Sequence, residues 1–182
     1  MEVNTDKTKV LYQPPPGQTS SRNNVGINGE HLGEVDYLPY LGSILSKTPT
    51  CGKDIENRIK AAHCAYGRLI HRVFNNHAIS IRTKIMVFRA VVLSTLLYAC
   101  ETWTLYRRDI KRLESFQQRK LRQLLNIRWE LGLSNNEILK RARLPIVEAT
   151  ILQHRLRWPG HVVRMDPSRL PRIMLCGELM KE

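Results

Sequence analysis

The chain has 182 residues, of which 42% are hydrophobic, and 29 Lys/Arg against 16 Asp/Glu give a net charge of +13. That length and apolar fraction suit one folded domain with an appendage and exclude a wholly disordered chain. The charge points to an anionic partner, with nucleic acid ahead of a membrane surface.

The charge is uneven: residues 1–50 are nearly neutral, whereas residues 105–172 carry 16 basic and 6 acidic side chains. Cys51, Cys64, Cys100 and Cys176 are widely spaced, without a CxxC pair or a leading secretory segment. They read as reduced thiols of an intracellular protein, in the nucleus, the cytoplasm or both. The most apolar run, Val87–Cys100, is too short to span a bilayer and is interrupted by Arg89, so no membrane role is expected.

Residues 1–22 contain Pro14-Pro15-Pro16-Gly17 and read as an extended tail and linker. Residues 23–50 hold short β-type runs around the turn dipeptide Asn28-Gly29, and Pro39 restricts its strand to an edge or a bulge. From residue 53 the period becomes helical. A first helix is predicted over 54–75. A second, over 81–100, starts at Ser80 as N-cap and is apolar nearly all round, which makes it the expected core. A third is predicted over 106–127. At 100° per residue, Ile110, Leu113, Phe116, Leu121, Leu124 and Ile127 share one face. Arg108, Lys111, Arg112, Ser115, Arg119 and Arg122 lie opposite, with no acid among them. The capping box Ser134-x-x-Glu137 opens a fourth helix. A fifth is predicted to follow Pro145, a good first-turn residue, and to run to about Trp158, with a break at Pro159-Gly160. The fold class expected is mainly α: a helical bundle over 51–130, a short N-terminal β-hairpin, and a basic helical tail over 131–182.

Catalytic chemistry is hard to place. No two of the five aspartates are adjacent, and no phosphate-cradling glycine loop, HExxH or GxSxG occurs. His63 with Cys64, and His154 with His161 and Cys176, lack ligand-pair spacing, so no metal site is expected. The one-signed stripe Arg108, Lys111, Arg112, Arg119, Arg122 is the candidate surface for phosphate contact, because ordinary solvated faces mix signs. Trp103, Trp129 and Trp158 are read as core anchors, with base stacking as the alternative role.

Four stretches occur in order: Asn4-x-x-Lys7-Thr8, Tyr40-Leu41-Gly42-Ser43, "ISIRTKIMVFRAVVLSTLLYACETWTL" and "RLRWPGHVVRMDPSRLPRIMLCGEL". Together they resemble the C-terminal part of a non-LTR (LINE-type) retrotransposon reverse transcriptase. The resemblance implies that Lys7 matches the lysine of the last palm motif, near the phosphates of an incoming nucleotide. It implies that Tyr40, Leu41, Gly42 and Ser43 form the primer grip, and that the helices after residue 50 form the thumb. Family members synthesise DNA on RNA with magnesium. The metal-binding aspartate pair would lie before Met1, so this chain alone is expected to have no catalytic residue, no metal and no enzyme activity. The expected partner is RNA or an RNA–DNA duplex, with DNA a further option, and the oligomeric state is open. A standalone basic nucleic-acid-binding or interaction protein, or a non-functional transposon fossil, is the alternative reading. Three positions depart from the family pattern. Pro39 stands in the primer-grip strand, Ala99 replaces a glycine within Tyr-x-Cys-Glu-Thr-Trp, and Pro159 stands inside Trp-x-Gly-His.

Overall fold

The computed structural model describes residues 4, 8–14, 25–27 and 29–176. Lys7 and most of the segment 1–22 fall outside the described residues. The fold is mainly α, with small β elements confined to the N-terminal side.

Three two-stranded pairs form there. β1 (Lys9–Val10) runs parallel to β4 (Gly33–Glu34). β2 (Gly26–Ile27) pairs antiparallel with β3 (Glu30–His31), and Gly29 between them takes φ 85°, as the Asn-Gly turn requires. β5 (Tyr37–Tyr40) pairs antiparallel with β6 (Ser43–Ser46), Pro39 opposite Ile44. Each pair has only edges, so Pro39 removes no ladder bond from a central strand.

α1 (Gly52–Leu69) continues through a π-helical turn, Ile70–Phe74. The second predicted helix is likewise composite. α2 (Ile81–Val87) is capped by Ser80, whose hydroxyl accepts from Thr83 N at 3.2 Å; a π turn follows at Phe88–Leu93, then α3 (Ser94–Leu96). Its buried positions include Lys84, Phe88, Val92, Leu96 and Cys100, four residues apart throughout. A stripe of that spacing drifts about 40° per step on an ideal α-helix. The wider π turn takes up part of the drift and keeps the stripe on the core. α1 repeats the arrangement, with Asp54, Arg58, Ala62, Tyr66 and Phe74 buried and a π turn that ends at the last of them. The second helix is therefore buried on one broad face rather than all round. Ile81, Met86, Val91 and Tyr98 stay exposed.

α4 (Arg107–Leu124) packs on α1, α5 (Asn135–Ala142) and α6 (Val147–Val163). α5 starts at the expected capping box, in which Ser134 Oγ accepts from Glu137 N at 3.3 Å and Ser134 N donates to Glu137 Oε2 at 2.8 Å. The fifth helix follows Pro145 as expected, with Ile146 in extended backbone as its N-cap. One expectation for it is corrected. Pro159 does not break the helix, which runs on to Val163. An internal proline costs about 3 kcal/mol. Ile151 before it and Val162 after it are both buried, and that burial holds the helix together across the missing hydrogen bond. A short α7 (Leu170–Cys176), within the stretch expected to be helical tail, follows and packs on α6. Among the described residues, no helix is long and apolar enough to cross a membrane.

Candidate nucleic-acid interface

Basic residues of α4 line a groove of about 700 Å³ with a contribution from α1. Its floor is Ile59 and Phe116; Arg107, Arg108, Lys111, Arg112, Ser115 and Arg119 supply the rest. Steps of three and four residues put these side chains on one face, opposite the buried Leu113, Leu121 and Leu124. Arg108, Lys111 and Arg119 are exposed. Ser115 Oγ is turned back onto Lys111 O at 2.7 Å. Arg112 stands 4.0 Å from Asp109, a buried acid in the first turn, where the helix dipole favours negative charge. Glu56, on the adjoining surface of α1, is paired with Lys60 at 2.7 Å, and these lysine contacts hold its carboxyl below the usual range.

Arg122 does not join this groove. Its Nη2 donates to Leu133 O at 2.9 Å and to Asn135 Oδ1 at 3.1 Å, tying the end of α4 to the start of α5. Helical spacing alone placed it with the other arginines, and the incoming loop captures it. Lys120 is buried and its ammonium lies 4.4 Å from the Tyr66 ring centroid. Burial, aided by Arg119, pulls its pKa below the ordinary lysine value.

The turn Tyr40–Ser43 caps the β5–β6 hairpin. Leu41 (φ 47°) and Gly42 (φ 83°) both take left-handed backbone, the geometry of a tight hairpin turn. Tyr40 and Leu41 project outward, 59% and 75% exposed. Arg58 Nη2 donates to Gly42 O at 2.5 Å and Ser43 Oγ at 3.2 Å, and Tyr98 Oη donates to Leu41 O at 3.2 Å. The Arg58 guanidinium lies 4.3 Å from the Tyr98 ring centroid. Behind it, buried Asp54 accepts from Ile44 N at 3.0 Å and from Trp103 Nε1 at 2.8 Å. The turn is thus fixed to α1 by a hydrogen-bonded cluster that sequence reasoning did not single out. The available signal was Asp54 and Arg58 falling on the four-residue stripe of an otherwise apolar face.

The tryptophans divide. Trp103 is buried, whereas Trp158 is 53% exposed and lines an open groove with Arg155, Pro159 and Tyr106. Core anchoring therefore fails for Trp158, because it stands with exposed Leu156 and Arg157 on the uncovered part of α6. The side chain of Trp129 is outside the described residues. A second basic pocket, of about 510 Å³, was also missed: Arg82 and Arg89 of α2 and its extension face Arg141 and Arg143 over Ile85 and Leu144. These arginines are far apart in sequence, and only the packing of α5 brings them together.

No family model matches the chain, and no solved structure matches it. It is similar to a transposon-derived, uncharacterized protein of Caenorhabditis elegans, with 24% identity over 178 residues, covering 96% of this chain and 63% of that protein. The chain thus spans less than two thirds of that relative's length. This similarity, across nearly all of the sequence, supports a transposon-related origin for the chain.

Proposed function

We propose that this chain corresponds to the thumb and tail of a non-LTR retrotransposon reverse transcriptase and binds RNA or an RNA–DNA duplex without polymerising by itself. The observation that carries the reading is the groove over α4, where exposed Arg108, Lys111 and Arg119 stand together with no acid lining it. Such a surface recognises the regular phosphate spacing of a nucleic-acid strand, and its strength is salt-dependent through counterion release. The ordered turn at Tyr40–Ser43 suits a part that positions a primer end, and the transposon-derived relative agrees in origin. In this reading magnesium enters only with the carboxylate-bearing palm of the full-length enzyme.

The test is the salt dependence of binding to an RNA–DNA duplex. Contact with about four phosphates gives a slope of log K against log salt of roughly −3 to −4. Replacing Arg108, Lys111 and Arg119 by alanine together should flatten it by about two to three. An unchanged slope would overturn the groove as the contact surface. Flattening by replacement of Arg82, Arg89 and Arg141 instead would move the interface to the second basic pocket.

A further inference from the structure

Away from the basic groove, the turn after α3 and the middle of α6 bring together three groups able to ligate a metal. Cys100 Sγ lies 3.5 Å from His154 Nδ1, and these atoms and a Glu101 carboxylate oxygen all lie within 4.8 Å of one another. Cys100 is buried, His154 half-buried and Glu101 exposed, so the set runs from the core to solvent. We propose that Cys100, Glu101 and His154 form a binding site for a zinc-like divalent cation, with a fourth coordination position facing solvent.

The spacing fits the ion. A tetrahedral centre with sulfur at ~2.3 Å and imidazole nitrogen at ~2.0–2.1 Å holds those two atoms ~3.5 Å apart, so neither needs to move. The carboxylate must close in by a rotamer adjustment, which an exposed glutamate makes freely. Sulfur, nitrogen and oxygen donors together select a borderline-soft cation over magnesium or calcium. Thiolate and carboxylate balance the two positive charges, and the imidazole binds as the neutral base. On coordination the sulfur–hydrogen bond of Cys100 is replaced by a sulfur–metal bond, and the proton leaves to solvent without electron transfer.

The surroundings accommodate this charge. The nearby Arg155 guanidinium donates to Trp103 O and is therefore engaged with a carbonyl. The open side is a pocket of about 260 Å³ whose wall includes Arg157 and His161. It has room for a water molecule or a small anion as fourth ligand, and Arg157 favours the anion. The Cys100–Thr102 turn already packs on α6, so the ion would cross-link the turn after α3 to the middle of α6.

The test uses the whole chain with all thiols reduced, titrated without oxygen with cobalt(II) alone. The expected result is one equivalent of bound metal with a thiolate-to-cobalt charge-transfer band, bleached by zinc(II). His154→Ala and Glu101→Gln, neither of which removes a fully buried group, should each weaken binding roughly tenfold or more with the far-ultraviolet circular dichroism unchanged. Cys100→Ser should abolish the band; Cys64→Ser and Cys176→Ser should leave it intact. Absence of a saturable band would overturn the site and leave only a thiol–imidazole hydrogen bond. So would a band that forms with undiminished affinity in His154→Ala, or one that follows Cys51, Cys64 or Cys176.

Discussion

The helical bundle and the β5–β6 hairpin are held by opposite means. The bundle buries a continuous apolar set, from Ile55 and Tyr66 through Phe88, Val92 and Leu96 to Leu113 and Leu121. The hairpin buries little of its own, with Tyr37, Tyr40, Leu41 and Leu45 exposed. It stays attached through Asp54, Arg58 and Tyr98, with Trp103 holding Asp54 from behind, and every one of these belongs to the bundle. Apolar burial spreads its free energy over many side chains, whereas a polar attachment concentrates it in a few directional contacts. The two regions should therefore fail in different ways.

The largest separation is expected from Leu96→Ala. Leu96 is fully buried at the centre of the bundle, and a cavity there should cost about 2–5 kcal/mol in denaturant unfolding. A loss under about 1 kcal/mol would show that the α2–α3 arm is not the core. Asp54→Ala should act on the hairpin instead. It strands the Trp103 and Ile44 donors and the Arg58 cation, at roughly 3 kcal/mol. Amides of residues 37–46 should lose their hydrogen-exchange protection while α4 keeps its own. Retention of protection in the hairpin would mean that strand pairing alone holds it.

A smaller effect of opposite sign is expected at Ala99, which takes φ 59° between the arm and the Cys100–Thr102 turn. Ala99→Gly removes a left-handed penalty of about 1–2 kcal/mol, offset in part by the entropy of glycine. A rise in Tm of roughly 2–4 °C in calorimetry is the expected outcome, and a fall would contradict the strain. The smallest effect is a pH dependence at the α5 cap. Bonds from Ser134, first its backbone N–H and then its hydroxyl, hold the Glu137 carboxyl below the usual range. A depressed folded-state pKa stabilises the helix start above the unfolded value of 4.5, and this is lost as pH falls through the folded value. The Ser134 amide resonance should follow that titration and become pH-independent in Glu137→Gln.

What the sequence made legible is what neighbours in sequence decide. Ser80 and Ser134 mark helix starts, Asn28-Gly29 marks a turn, and the two faces of α4 follow from spacing alone. The rest depends on groups that only packing brings together. Arg122 leaves the stripe because Leu133 O and Asn135 Oδ1 are waiting for it. Pro159 stays helical because burial on both sides outweighs its local cost. Cys100 meets His154 across 54 positions, and no spacing rule reaches that far. Ala99 stands where the pattern the sequence resembles has glycine, and its left-handed backbone gives that difference a physical meaning.

The π turns at Ile70–Phe74 and Phe88–Leu93 bear on which changes of length the chain tolerates. Such a turn is equivalent to an α-helix carrying one extra residue as a local bulge. Deleting one residue from 89–91 would restore ordinary helix and convert the spacing after Phe88 from four to three, leaving Leu96 and Cys100 on the core side. The same deletion inside Ile81–Val87 would rotate everything beyond it by about 100°. Length variation between copies should therefore collect at these two turns, which act as places where the helices can lose a residue and keep their fold.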